Sequence, residues 1–349
     1  MQRRDFVKSA MCLSCLGLMN SGCSDLLSLQ DDEFRDFEHT KSRFYYKSVD
    51  ELPKTIRLEA CSLCQLNCPI CTTRLLEKQA PKDWLGYLKF SDFKKFVDKH
   101  SFLEEIHISN NGEIFINPEL DEIMKYAYEK GITLSAGNGV NFNDVKETTL
   151  ENLVKYQFRF MAIAIDGATQ ETYAKYRVGG DINKVFENIK KVNYYKEKYG
   201  SYYPRMVYQY IVFGHNEHEI ELAKKIAQEL KIKFKFKRNY ALDYSPVKRV
   251  QKIVDDLPRR NPDTDCDLLF NTPQIDYNGN LLGCCAIQYG HFGINVFKEG
   301  LLKALNKKNV IYAKHMLTDL TFKPAKNILC TTCSIYKQRK KQGKVMEIS

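Results

Sequence analysis

From Lys54 to Arg238 the chain alternates apolar runs of strand length with amphipathic stretches of helix length, and this alternation limits the fold more than any other feature. The runs "KTIRLEA", "LEEIHIS", "ITLSAGN", "FRFMAIAID", "RMVYQYIVF" and "IKFKFKR" read as strands bounded by turn residues. Between them, "SDFKKFVDKH" reads as a helix opened by Ser91. "NPELDEIMKYAYEKG" is capped by Asn117, has Pro118 in its first turn and ends at Gly131. "DVKETTLENLVKY", "INKVFENIKKVNYYKEKYG" and "NEHEIELAKKIAQELK" follow, the last with Asn216 and Glu219 spaced as a capping box. Six βα units in order imply a parallel sheet with right-handed crossovers and ligands at the carboxyl ends of its strands. The pattern alone does not decide between an open sheet and a barrel.

At 349 residues the chain can bury one large core and still carry an accessory domain, so its cysteines are not needed as staples. With 44% hydrophobic and 28% charged residues it reads as globular, and no segment reads as a full membrane span. The net charge of +10 is mostly lysine scattered over helix faces. The tight basic run "KQRKKQGK" reads as a solvated tail. No basic groove interleaved with aromatics points to nucleic acid.

The twelve cysteines fall into groups: Cys12, Cys15 and Cys23; then Cys61, Cys64, Cys68 and Cys71; then Cys266, Cys284, Cys285, Cys330 and Cys333. Disulfide frameworks belong to short secreted chains, so CxxC-type clustering here argues for metal ligation. In "LEACSLCQLNCPICT", Cys64, Cys68 and Cys71 follow the first strand directly, where such sheets bind ligands. That spacing lets one loop wrap three thiolates around one face of a cubane and leaves the fourth iron open. A zinc ribbon needs two CxxC pairs separated by a long spacer. A bacterial ferredoxin run needs two-residue gaps and a second copy. Cys61 is the one candidate for a fourth ligand.

The C-terminal segments "CDLLFNTPQIDYNGNLLGCC", "HFGINVFKEG" and "CTTC" are broken by Gly, Asn and Pro and do not form another βα unit. "DYNGN" is a hairpin signal that would bring Cys266 back toward Cys284. On spacing alone, Cys266, Cys284, Cys330 and Cys333 suit an iron-sulfur cluster or a zinc ion.

"CQLNCPIC" resembles the CxxxCxxC signature of the radical S-adenosylmethionine (SAM) enzymes, with Ile70 where an aromatic residue is usual. The resemblance implies a partial (β/α)6 TIM-like barrel with a small Cys-rich C-terminal domain. It implies a [4Fe-4S] cluster on Cys64, Cys68 and Cys71 whose open iron binds SAM, and reductive cleavage of SAM to a 5'-deoxyadenosyl radical. "NNGEIFINPEL" resembles the GGE-type segment, which would place Gly112 and Glu113 at the SAM amino group, with Asn111 where glycine is common. "AIDGATQETYAKYRVGG" resembles the segment of members with a SPASM or twitch extension; it implies Asp166 at the SAM site and Arg177 on the SAM carboxylate, with Ala164 where serine is frequent. "AGNGV" resembles the third-strand segment and implies Asn138 near the adenosine. "NGNLLGCC" and "CTTC" resemble SPASM and twitch elements, with Gly279 and Cys284 in register, which implies one auxiliary [4Fe-4S] cluster on Cys266, Cys284, Cys330 and Cys333. Cys285 is left over as an alternative ligand, a packed residue or a hydrogen-atom donor.

The resemblance further implies oxidative C-H chemistry on a peptide or a sugar-like alcohol, with electrons from a low-potential donor such as a flavodoxin or ferredoxin. The rivals are a peptide epimerase using Cys285 and a two-cluster electron carrier that does not cleave SAM. Domain boundaries are expected at 1–52 for a leader and linker, 53–240 for the barrel and 241–349 for the auxiliary domain with its basic tail. Arg3 and Arg4, followed by an apolar stretch and Cys23, resemble a twin-arginine export signal with a lipoprotein-type cysteine as lipid anchor, the alternative being a short helix. The cytoplasm is expected nonetheless, because SAM and low-potential donors are intracellular.

Overall fold

A computed structural model of the protein describes residues 36–74, 84–237, 266, 268–284, 290–326 and 328–346. Arg3, Arg4, Cys12, Cys15, Cys23 and Cys285 lie outside the described residues. The chain divides into Met1–Glu38 and His39–Ser349, and the second unit carries the elements below.

All six expected strands are present: β1 (Thr55–Leu58), β2 (Glu105–His107), β3 (Thr133–Val140), β4 (Phe160–Ala164), β5 (Arg205–Ile211) and β6 (Lys233–Lys237). The intervening helices are α1 (Phe90–Lys99), α2 (Leu120–Glu129), α3 (Glu147–Lys155), α4 (Gln170–Tyr176), α5 (Ile182–Lys198) and α6 (Ile220–Glu229). The six strands are parallel and lie in chain order, β1 to β6, with no reversal. Right-handed crossovers that always step the same way put every helix on one face, so the sheet curls into a barrel wall and has no doubly wound switch point. Closure would require β6 to pair with β1. Instead β1 pairs in parallel with β7 (Gln274–Ile275), which continues antiparallel into β8 (Asn280–Leu282) and β9 (His291–Asn295). The barrel is therefore partial, and among the described residues β6 is an edge of the sheet.

The core lies between the strands and the helix layer. On α5 the buried residues Ile182, Val185, Ile189, Val192 and Tyr195 recur at three- and four-residue steps, which makes one apolar stripe. Tyr208 and Tyr210 of β5 are buried on the helix side, and Phe186 of α5 lies 6.3 Å from the Tyr208 ring. After the hairpin come α7 (Val296–Glu299), α8 (Leu301–Leu305), α9 (Lys308–Thr318) and α10 (Ser334–Lys341). The "DYNGN" turn forms as read: Gly279, at φ +91, donates to the Asp276 carbonyl at 3.1 Å, and the Asp276 side chain accepts from the amides of Asn278 and Asn280. Among the described residues no helix is long and apolar enough to cross a membrane.

Three cap expectations are corrected. Helix α1 starts at Phe90, one residue before Ser91, and its first amide is taken at 2.6 Å by the carboxylate of Glu119 from the next unit. Helix α2 starts at Leu120; Asn117 instead accepts from the Glu119 amide and donates to the carbonyls of Ala60 and Leu88. Asn216 and Glu219 do not form a capping box. Glu219 reaches across to the β4–α4 loop, accepting from the Ala168 amide at 2.7 Å and from the Thr169 amide and hydroxyl. Asn216, fully buried, donates at 2.9 Å to the carbonyls of Asp166 and Ile211 and accepts from the Phe213 amide at 2.7 Å. Local spacing suggested a cap, but the same polar groups gain more by satisfying buried backbone on a neighbouring unit.

Replacing Asn216 by Ala strands two buried carbonyls and one amide. The expected cost is about 2–4 kcal/mol, read from the urea midpoint at unchanged m-value. A change of only a few tenths would show that these bonds contribute little to holding the two loops together.

Candidate functional site

The loop after β1 carries the first cysteine group and is tied down at several points. Asn67 donates to the Val178 carbonyl at 2.8 Å, Cys71 to the Cys68 carbonyl at 3.2 Å, and the Arg74 guanidinium to the Leu66 carbonyl at 2.6 Å. Cys68 packs with Leu66, Tyr176 and Phe213 in a small apolar cluster, and the half-buried Cys64 and Cys71 lie against it. Burial pushes the Cys64 thiol up to about 12, with the Glu113 carboxylate adding to the effect. Burial also raises Cys68, against the pull of the Arg177 guanidinium, whose Nη1 stands 3.7 Å from its sulfur. The Cys64 and Cys68 thiols are therefore neutral near pH 7, and a metal that binds them must displace their protons.

Cys61 is different. It is fully buried, bridges to Tyr87 in an antiparallel β-bridge, and directs its thiol to the Leu63 carbonyl at 3.7 Å. It does not line the cavity described next.

Cys64, Cys68 and Cys71 border one side of a cavity of about 280 Å³ at the carboxyl ends of the strands. The β2 loop supplies Gly112 and Glu113, the end of β3 supplies Asn138, and the segment after β4 supplies Arg177. Gly112 is at φ +65, and a Cβ there would sit 2.5 Å from the Cys61 carbonyl oxygen and 2.6 Å from that of Leu63. Only glycine lets the two loops touch in this way. Glu113 is buried, and burial raises its carboxyl to about 7 even though the amides of Asn141 and Phe115 donate to it. A buried carboxylate at the cavity wall is a receptor for a cation. Asn138 is held by the Ser109 hydroxyl and the Asn110 carbonyl, at 3.0 and 2.6 Å.

Asp166 does not line the cavity. It is fully buried behind Arg177, accepts from the guanidinium Nε at 2.8 Å and from Nη2, and takes the Ile211 amide at 2.6 Å. It orients Arg177, leaving Nη1 toward the cysteine loop. The site also contains residues that sequence reasoning missed. Asn141 joins the β3 end to Glu113 through its amide and to Cys64 through its side chain at 3.6 Å. Gln209 of β5 and Lys237 of β6 line the opposite wall. Their signal was present in the sequence, since polar residues at alternate positions of otherwise buried strands mark an inward face.

The second cysteine group also assembles. Cys266, Cys284, Cys330 and Cys333 are all buried. Burial and the neighbouring Cys284, Cys266 and Cys333 push the Cys330 thiol well above its ordinary range. Among the described residues no three His, Cys, Asp or Glu side chains converge as they would on a single ion.

The fold is similar to that of SuiB from Streptococcus suis. The structure of SuiB alone superposes with a TM-score of 0.60 at 13% identity, covering 85% of this chain and 77% of that one. SuiB bound to S-adenosylmethionine gives 0.58 at 14% identity, with 82% and 72% covered. SuiB bound to its precursor peptide SuiA gives 0.58 at 15%, with 82% and 70% covered. No family profile and no curated protein sequence matches the chain. The partial-barrel fold read from the motifs is thus the fold observed.

Glu113 gives a pH signature in the cofactor-free protein. Its folded value of about 7 lies above the ordinary 4.5, so the native state holds a proton that the unfolded chain has lost between those values. Stability from this group is full below about 4.5 and is lost as pH rises through 7. Relative to wild type, Glu113→Gln is expected to gain on the order of 3 kcal/mol in urea unfolding between pH 5 and pH 8. An offset that is the same at both pH values would remove this account.

Proposed function

We propose that the chain is a radical SAM enzyme and that its substrate is a peptide or a sugar-like alcohol modified oxidatively at a C-H bond. The observation that carries the reading is the meeting of three thiols, a buried carboxylate and an oriented guanidinium on one strand-end cavity, in a fold similar to that of SuiB bound to S-adenosylmethionine. A [4Fe-4S] cluster held by Cys64, Cys68 and Cys71 would supply one electron for the reductive cleavage of SAM to the 5'-deoxyadenosyl radical.

The chain's own residues account for the rest of the SAM site. Glu113 offers a carboxylate and Gly112 a close backbone approach to an ammonium. Arg177, fixed by Asp166 on two of its nitrogens, keeps Nη1 for a carboxylate. Asn138 offers polar contacts on the adenosine side. The cysteine loop and Tyr176 line one side of the cavity.

The four C-terminal thiols suit an auxiliary cluster that would take an electron from the substrate radical. The epimerase reading depends on Cys285, which lies outside the described residues. The electron-carrier reading requires Cys61 as a fourth ligand, and its placement away from the cavity speaks against that role. The SuiA complex of SuiB favours a peptide over a sugar. A cytoplasmic location, with a flavodoxin or ferredoxin as donor, completes the proposal.

Anaerobic reconstitution with iron and sulfide, followed by SAM and dithionite, tests the reading by 5'-deoxyadenosine formation. Cys64→Ala, Cys68→Ala and Cys71→Ala are each expected to abolish it, and Cys61→Ala to retain it. Cys330→Ala is expected to lose about half of the bound iron while still cleaving SAM. Cluster-loaded wild-type protein that yields no 5'-deoxyadenosine would overturn the assignment.

A further inference from the structure

Strand β6 places its charges on one face. The register pairs Val207 with Lys233, Gln209 with Lys235 and Ile211 with Lys237, and cross-strand partners project to the same side. Gln209, Ile211 and Lys237 line the cavity, so the lysines face the concave side of the barrel wall. Phe234 takes the other side, with its ring 5.6 Å from those of Tyr208 and Tyr210, and Phe236 shares that side.

This inverts the ordinary barrel wall, whose inward positions are filled by apolar side chains. Lys233 and Lys235 are exposed, and neither has an ion-pair partner among the described residues. Lys237 donates to the Asn138 carbonyl at 3.2 Å. Alternate residues of a strand are about 6.6 Å apart, so the ammonium groups of Lys233 and Lys235 repel one another unless an anion lies alongside. The positive run continues beyond the strand. Val207 and Lys233 also line a second cavity, of about 210 Å³, together with Arg205 and Lys231. Lysines that only protect an edge from aggregation would not need to run along a concave face between two cavities.

Two properties coincide on β6: an edge position with no further strand beside it among the described residues, and a concave row of cations at two-residue spacing that leads to the site. We propose that β6 takes up the substrate as an extended peptide added to the sheet edge, with acidic side chains at alternate positions beside Lys233, Lys235 and Lys237 and apolar side chains between them beside Phe234 and Phe236. An added strand keeps the two-residue period, so each acidic residue meets a lysine and each apolar residue a phenylalanine. A nucleic acid offers the charge but no main-chain amides to pair with the edge. The inference rests on the peptide reading above and narrows it to acidic, alternating sequences.

The probe is a fluorescein-labelled peptide alternating glutamate and valine over ten residues, titrated with SAM-loaded protein in low salt and followed by anisotropy. Lys233→Gln/Lys235→Gln is expected to weaken binding at least tenfold. Lys94→Gln/Lys125→Gln, the same charge loss on α1 and α2, is expected to change it less than twofold. A peptide of the same composition with its glutamates and valines in separate blocks should bind at least fivefold more weakly, as should the alternating peptide with every second amide N-methylated. Equal binding of the block peptide, an equal loss in the α1/α2 variant, or equally tight binding of a ten-residue oligodeoxynucleotide would overturn the proposal. Formation of 5'-deoxyadenosine without peptide is measured in parallel, so failure of the radical SAM reading is distinguished from failure of peptide binding.

Discussion

The buried ion pair between Arg177 and Asp166 is the interaction on which the geometry of the site depends. Asp166 has no exposed surface, and its two oxygens are fully used, one by the guanidinium and one by the Ile211 amide. Its backbone is in the left-handed region at φ +58, and its carbonyl is held by Asn216. Taking two charges out of water costs several kcal/mol each, so a pair like this contributes little net stability, while removal of one partner costs about 3–5 kcal/mol. What the pair fixes is direction. Nε and Nη2 are tied to Asp166, and Nη1 is left beside Cys68 and the cavity. A positive charge beside the cysteine loop favours thiolates there, which opposes the burial that keeps Cys68 protonated.

The elements around that pair are held by polar groups that act between units. Glu219 of the β5–α6 connection fixes the loop that begins α4, and α4 carries Arg177 at its end. Glu119 of the second unit starts α1 of the first. Thr73 of the cysteine loop takes the Gly112 amide of the β2 loop at 2.9 Å. The connections after β1, β2, β4 and β5 are thus fastened to one another by polar contacts between neighbouring units.

Much of this was legible in the sequence because the alternation of apolar runs and amphipathic helices is local. The six strands, the glycine after α2, the Asn-Gly hairpin and the cysteine triad all follow from residues within a few positions of one another. Local spacing misleads or falls silent where the partner is distant in sequence. Asn216 and Glu219 have the spacing of a cap but bond to residues some 50 positions away. Asp166 lies in a segment that resembles a SAM-binding one, yet it stands behind the residue that reaches the cavity. The inward charge on "KFKFK" is visible as a period of two, but which face is inward depends on the register with β5. Joining of the C-terminal hairpin to β1 has no local signal, because a two-residue strand carries no period to read.

That last pairing bears on how the two thiol groups relate. The Arg57 and Glu59 amides donate to the Pro273 and Ile275 carbonyls at 3.0 Å, so the strand leading into Cys64 is hydrogen-bonded to β7, whose hairpin partner β8 leads into Cys284. Glu59 is buried near Asp276, and burial together with that neighbour raises its carboxyl to about 7. Gly86, whose carbonyl accepts from Ser62 next to Cys61, has no room for a Cβ against the Tyr277 ring, 2.7 Å away. Backbone pairing and close packing, not a linker, therefore set the distance between the two groups. In a fold where one thiol group would open SAM and the other would receive an electron, a fixed separation matters more than stability. The chain achieves it by making the C-terminal hairpin part of the same sheet as the barrel.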